Sequence, residues 1–472
     1  MNNKKICIFG ILFIIITIYL FIKLDNIFTY KSTADEQLFS YYKNKSDLDV
    51  LFVGTSQMFN GIIPIQLWKD FGITSYSRAK DAQFYKVSYY IIQEAVRIKK
   101  PKIIVMDMLY LSHLQDLASG SKQINWMKIS YDKYKGFKDI FPNESFINFF
   151  SYNYYHTRWK NLQSIDFYTD SKYVSLGYLI APRIWRVNPI QAFDTSEHTT
   201  PLDKLGEDTV IYANKIVELC KKNNISIIFV KFPQTLNTLI ESRNNLFDDF
   251  CKKNNYNFID FNKLIDVIGI DITKDFYDRS HLNRYGAEKI TSYMGNYLIN
   301  NFNIADKRNM IEYKDWNKEY EVYKRVINKE TLSRLKSFQE WQNLVFYDNY
   351  TVMLSINGDI LKNLPETLKN DLKSFGLKKY NTNKANMRYA AIIDDNKVFF
   401  EEISNKPVTY KGRMKSVVNL LVSSDGKATI NVSGKPRSKN RYGINFVIYD
   451  KVNREIVDSI WLDPSNFNQV RR

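Results

Sequence analysis

A chain of 472 residues with 44% hydrophobic and 25% charged residues has the composition of a folded protein and the length for two or more domains, each with its own core. The net charge of +17 attracts anionic partners over long range, but no compact Lys/Arg block marks a nucleic-acid patch, and the charge reads as a diffuse basic surface. Three cysteines exclude a disulfide-dense scaffold, and no C-x-x-C or His-rich spacing suggests a metal, so no metal or cofactor is expected.

The first predicted element is an unbroken apolar run from Ile6 to Ile22, preceded by Lys4 and Lys5. It is at the short end for a membrane span and longer than most signal-peptide cores, and no small-residue cleavage site follows. The run reads as an uncleaved anchor (1–24). The positive-inside bias places Lys4 and Lys5 in the cytoplasm and the bulk of the chain outside the cell membrane. A mixed polar juxtamembrane linker (25–46) leads to the stretch Leu48 to Gln57, where an apolar, β-branched run stops at Gly54 and Ser56 sits just past the stop.

An α/β alternation follows. Gly72 to Ser77 is a short second strand, Phe84 to about Lys99 a helix, and Ile103 to Asp107 a strand apolar throughout, as buried parallel strands are. From about 112 to 200 the pattern weakens into an aromatic, partly helical insertion carrying Trp126, Trp159 and Trp185. Two more helix-to-strand units come next. Val210, Ala213, Ile216, Val217 and Cys220 precede the strand Ile225 to Lys231, and Leu246 and Phe250 precede the strand Tyr256 to Phe261. Each helix closes on Lys-Lys-Asn-Asn, basic residues that suit the helix dipole and an asparagine that tolerates a left-handed cap. Cys220 and Cys251 could bridge in an oxidising compartment, but they read as two buried free thiols. The repeated units predict a doubly wound parallel sheet over 47–302. A charged helical connector (303–346) then gives way to short alternating strands and turn signals, a β-rich α+β domain over 347–465 with a tail from 466 to 472.

A serine at the carboxyl end of a sheet strand is placed where α/β sheets present chemistry, but it needs a base. The chain has four histidines: His113, His156, His198 and His281. His281 follows Asp278 by three residues, after the last predicted strand of the sheet and before a helix marked by Ala287, Ile290, Met294 and Tyr297. An acid so placed can orient the imidazole and stabilise its cation. Asp-x-x-His alone is a weak motif; with Gly54-Thr55-Ser56 at another strand end it is much stronger. His156 lies in the aromatic and basic run Tyr155 to Trp159 beside Arg158, either as a substrate contact or as a surface histidine.

Gly54-Thr55-Ser56 and Phe276-Tyr277-Asp278-Arg279-Ser280-His281-Leu282-Asn283-Arg284-Tyr285-Gly286 together resemble the SGNH/GDSL hydrolase superfamily, over about residues 47–302 and with a flavodoxin-like sheet. The likeness is to its membrane-anchored extracytoplasmic members, such as the teichoic-acid D-alanylation and the alginate and cellulose O-acetylation proteins. It implies a triad of Ser56 as nucleophile, His281 as base and acid, and Asp278 as orienting acid. Thr55 replaces the Asp of the GDS form. Asp81-Ala82-Gln83 stands where the family's Gly block belongs and Met108 to Leu111 where its Asn block belongs. Gly54, Ala82, Gln83, His156 and Arg158 are the candidates for the oxyanion hole and substrate contacts. The text Asn440 to Asp450, Ile456 to Ser459 and Leu462-Asp463 resembles the interleukin-like EMT-inducer domain, without its animal cysteines and with Leu462 for a Phe. That implies glycan binding, against a structural or docking role.

The function so implied is O-acyl transfer, with acetyl as the group, from a membrane-bound O-acyltransferase partner to a cell-surface polysaccharide. The alternatives are an acetyl-esterase on the same polymer, or a non-catalytic glycan-binding assembly protein.

Overall fold

The computed structural model describes residues 3–29, 41–42, 46–108, 124–125, 127–161, 176–178, 203–234, 238–348, 350–414 and 417–472. The chain divides into two compact units, Met1–Tyr320 and Glu321–Arg472.

In the first unit, α1 (Asn3–Thr29) is long and apolar enough to cross a membrane, with the stretch Cys7–Asp25 exposing its apolar side chains. At 1.5 Å per residue it spans about 40 Å, more than the roughly 30 Å hydrocarbon core of a bilayer. The sheet follows, with β1 (Val50–Gly54), α2 (Ser56–Gly61), α3 (Pro64–Phe71), β2 (Ser75–Ala79), α4 (Tyr85–Ile98) and β3 (Ile103–Asp107) in chain order. After α5 (Tyr131–Ile140) and α6 (Ser151–Tyr155) come α7 (Glu207–Lys222), β4 (Ser226–Lys231), α8 (Thr238–Asn254), β5 (Asn257–Asp260) and α9 (Arg284–Asn301). The five strands are parallel in the order β2-β1-β3-β4-β5, the flavodoxin-like arrangement. Registers fix β1 between its neighbours, with Gly54 opposite Ala79 and Val53 opposite Met106. Every residue of β1 and β3 is buried, which explains their unbroken apolar runs.

The second strand begins later than the expected Gly72–Ser77. Gly72 is left-handed (φ +70°) and caps α3, and a Cβ there would lie 1.9 Å from the Asp306 carboxylate. The sequence Ser75-Tyr76-Ser77-Arg78-Ala79 is polar yet wholly buried. It is tolerated because the Arg78 guanidinium pairs with Glu94 at 2.6 Å and stacks over Tyr41 at 4.6 Å. At the opposite end of β1 from Gly54, buried Asp49 pairs with Lys307 at 2.6 Å and Lys102 at 3.0 Å. Ile290, Met294 and Leu298 on α9 pack onto Val50, Phe52, Val105 and Ile228 to form the core on one face of the sheet. Cys220 and Cys251 are buried and free.

The second unit holds α11 (Phe338–Tyr347), β6 (Thr351–Asn357), α12 (Glu366–Ser374) and nine further strands, after α10 (Lys314–Leu332), a helix begun in the first unit. The strands are β7 (Arg388–Asp394), β8 (Lys397–Ser404), β9 (Val408–Met414), β10 (Val417–Ser424), β11 (Ala428–Val432), β12 (Lys435–Pro436), β13 (Gly443–Asp450), β14 (Glu455–Asp463) and β15 (Asn466–Arg471). They form two antiparallel sheets, β15-β14-β13-β6-β7-β8 and β12-β11-β10-β9. Alternation along β6 serves both faces: Val352, Leu354 and Ile356 join the core with α11 and α12, and Met353 joins the core against the four-stranded sheet. The β7–β8 hairpin turns through Asp395 and Asn396, both left-handed, as a type I′ turn requires.

Two expected segments differ in character. The end of the 303–346 connector is core rather than arm, because Phe338, Trp341 and Val345 form one helix face buried against the sheet. The expected tail is β15, which pairs with β14, buries Val470 and brings Arg472 to Asp458 at 2.8 Å.

Candidate active site

Gly54 ends β1 where the backbone passes against Asp107 at the end of β3; a Cβ on Gly54 would lie 2.5 Å from that carboxylate. Thr55 then turns the chain into α2. Its N–H and its Oγ1 donate to Asp107 Oδ2 at 2.7 and 2.9 Å, while Oγ1 caps the helix by accepting from the Gln57 N–H at 3.3 Å. The result sets Ser56 in the first turn of α2, outside the carboxyl ends of β1 and β3. This is the switch point of a 2-1-3-4-5 sheet, where such folds place ligands. The Ser56 N–H has no acceptor among the described residues.

His281 arrives from a loop pinched shut before α9. Phe276 bridges Leu282, and the Tyr277 N–H donates to the His281 carbonyl at 2.8 Å. Asn283 caps α9 by accepting from the N–H groups of Tyr285 and Gly286 at 2.9 and 3.2 Å, and its amide donates back to the Lys274 carbonyl at 2.5 Å. Gly286 is required by a close approach, since a Cβ would stand 2.4 Å from the Asp275 carbonyl oxygen.

The His281 imidazole is held between two partners. Nε2 lies 2.7 Å from Ser56 Oγ, and Nδ1 lies 2.9 Å from each oxygen of Asp278. With Nδ1 protonated toward the carboxylate, Nε2 accepts the Ser56 hydroxyl proton. Asp278 Oδ1 also accepts from the N–H groups of Ser280 and His281 at 2.7 and 2.9 Å. Partial burial pushes the Asp278 carboxyl up, but the hydrogen bonds from His281 and these two amides outweigh it and hold the group below the usual aspartate value. The carboxylate is therefore charged wherever the protein is folded near neutrality.

Beneath Ser56 lies a polar layer that the sequence reading missed. The buried Gln57 amide donates to the Ser280 carbonyl at 2.8 Å and to Gln234 Oε1 at 2.7 Å, and its own oxygen accepts from Lys231 Nζ at 2.9 Å. One side chain thus spans from the serine's helix to the histidine's loop. Lys231 is fully buried, and desolvation pushes its amine down to about 7. The available signal was a lysine ending an apolar strand, a residue type rarely buried without a task.

The remaining candidates separate. The turn after β2 is tied to β1 by the Lys80 N–H donating to the Gly54 carbonyl at 2.9 Å; within it Ala82 is left-handed (φ +51°), and its N–H has no acceptor among the described residues. Gln83 is committed elsewhere: its N–H donates to the Lys80 carbonyl at 3.2 Å and its amide to Ser88 Oγ at 3.0 Å. Arg158 stacks on Tyr155 and donates to the Phe28 carbonyl of α1 at 2.6 Å, and exposed His156 has its Nδ1 2.6 Å from the Asn153 carbonyl oxygen. Those partners belong to α1 and the insertion and not to the Ser56 cluster. His113, His198 and residues 109–111 lie outside the described residues.

No family model and no curated protein matches the chain. Among solved structures, a candidate acylhydrolase from Bacteroides fragilis is similar at 13% identity and a TM-score of 0.27, over 55% of this chain and 93% of its own. A GDSL-like lipase from Bacteroides thetaiotaomicron is similar at 12% identity and a TM-score of 0.28, over 56% of this chain and 98% of its own. At that level the likeness assigns no activity, and the chemistry rests on the geometry above.

Proposed function

We propose that the protein is a membrane-anchored, extracytoplasmic O-acyltransferase of SGNH type that esterifies a cell-surface polysaccharide through an acyl-serine. The observation that carries the reading is the continuous hydrogen-bonded chain from Ser56 Oγ through His281 to Asp278 at the switch point of the sheet. His281 Nε2 takes the Ser56 proton as Oγ attacks the donor's acyl carbon, and Asp278 stabilises the imidazolium. The developing oxyanion meets the N–H groups of Ser56 and Ala82, neither of which has a protein acceptor among the described residues. The tetrahedral adduct collapses, the donor's leaving group departs with the proton from His281, and the acyl group remains on Ser56. In the second half a sugar hydroxyl loses its proton to His281, attacks the acyl-serine and leaves as the ester, while Ser56 regains its proton.

A membrane-bound O-acyltransferase is the proposed donor. The exposed apolar length of α1 supports an anchor that keeps Ser56 near such a partner. The test supplies p-nitrophenyl acetate and an oligosaccharide acceptor to the protein, with Ser56→Ala as control. Acetylated sugar that depends on Ser56 supports transfer. Acetate alone makes the enzyme an esterase, and absence of turnover in the wild type leaves a binding protein.

A further inference from the structure

The last turns of α1 are covered on one side. Phe21, Asp25 and Phe28, spaced i, i+4 and i+7, form a stripe that has lost exposure, while Ile22, Lys23 and Leu24 stay exposed. The cover comes from the insertion. Phe150 packs edge-on against Phe21 with ring centroids 5.2 Å apart, and Arg158 donates to the Phe28 carbonyl at 2.6 Å. About 20 helical residues cross a hydrocarbon core, and counted from Ile6 they end at Asp25. On that span Phe21 lies about 6 Å inside the outer boundary and Phe28 about 5 Å beyond it. The insertion therefore meets the anchor where it leaves the bilayer.

At this junction the insertion exposes large apolar side chains. Ring contacts run from Phe150 to Phe146 at 5.6 Å and from Phe146 to Tyr134 at 6.2 Å. Phe146 is 49% exposed and its neighbour Ile147 58%, and Trp159, next to the Arg158 that holds α1, is 59% exposed. On α5, Tyr131, Tyr134, Lys135 and Lys138 fall at i, i+3, i+4 and i+7 and are all exposed, while Phe137 and Ile140 are buried. Aromatic rings interleaved with lysines suit the layer between hydrocarbon and water. There the rings sit at headgroup level and lysine stems reach past them to keep their charge wet. Phe137, Ile140 and Phe141 in turn share a core with Val87, Tyr90 and Ile91 of α4, which joins the insertion to the sheet.

We propose that Tyr131, Tyr134, Phe146, Ile147 and Trp159 rest in the headgroup layer of the bilayer that α1 crosses. The anchor is then one of two attachments, and the second fixes the orientation of the sheet domain against the membrane, since the shared core carries it to α4. The occupant is lipid because α1 itself brings this surface to the hydrocarbon boundary. An exposed phenylalanine and isoleucine at that depth meet acyl chains with no partner to recruit. The inference rests on the reading of α1 as a membrane span and is independent of the chemistry at Ser56.

The test places the full chain in nanodiscs of phosphatidylcholine and phosphatidylglycerol and reads the depth of single nitroxide labels. Cys7→Ser leaves the buried Cys220 and Cys251 as the native thiols, and labels are attached one at a time at Ile147→Cys, Trp159→Cys, Ile18→Cys and Val267→Cys. Ile18 reports the span, and Val267, 73% exposed outside the insertion, reports water. Relaxation by oxygen, which concentrates in hydrocarbon, is divided by relaxation by a water-soluble nickel chelate. The expected ratio at Ile147 and Trp159 is at least about threefold above that at Val267, on the Ile18 side of the scale. Ratios equal to that of Val267, with Ile18 protected from nickel, overturn the second attachment and leave the anchor standing. Labels at Ile147 and Trp159 shielded from both reagents also overturn it, since that marks a protein contact. If Ile18 itself is open to nickel, α1 does not span and both readings fall.

Discussion

At the scale of single residues, the decisive contacts are short and few. Ser56→Ala and His281→Gln should each lower p-nitrophenyl acetate turnover by about 10³ or more while the far-UV spectrum is retained, since neither side chain is part of a core. Lys231 gives a prediction with a sign. Its folded-state amine sits near 7 and its unfolded value near 10.5, so between those values the unfolded chain binds more protons and stability rises with pH. Below about pH 7 both states are protonated and the penalty is complete. Urea titration of wild type and Lys231→Met at pH 6 and pH 9 should show the wild type gaining on the variant at pH 9; an unchanged difference would mean the amine is not desolvated. Ser56, Asp278 and His281 were legible because strand ends and a scarce histidine narrow the search. Gln57 and Gln234 were not, because what makes them important is a pairing 177 residues apart that no local pattern announces.

At the scale of elements, the loop that carries His281 depends on the cap of α9. Replacing Asn283 with Ala removes both the cap and the amide bonds to the loop. The cap alone is worth about 1–2 kcal/mol. Turnover should fall further than stability predicts, with the loss in kcat rather than KM; a proportional loss of both would mean that the loop only folds the domain. The β1, β3 and β4 strands were legible from unbroken apolar runs. The start of β2 was not, since Ser75 to Ala79 is buried by an ion pair and stacking rather than by apolar character. The helix face of Phe338, Trp341 and Val345 resembles a connector in sequence because the strands it covers come later in the chain.

At the scale of the molecule, the second unit is closed by its own C-terminus. Deleting residues 466–472 removes β15, uncovers the surroundings of Val470 and leaves Asp458 without Arg472, so a melting transition should move down by several degrees or the deletion should aggregate. An unchanged transition would restore the reading of this segment as a tail. The measurement that tests the account most directly is peptide mass spectrometry after brief incubation of the whole chain with p-nitrophenyl acetate and acid quench. The account predicts a 42 Da acetyl adduct on the peptide containing Ser56, absent in Ser56→Ala and in His281→Gln. A wild-type Ser56 peptide without the adduct, or one labelled equally when His281 is replaced, would contradict it.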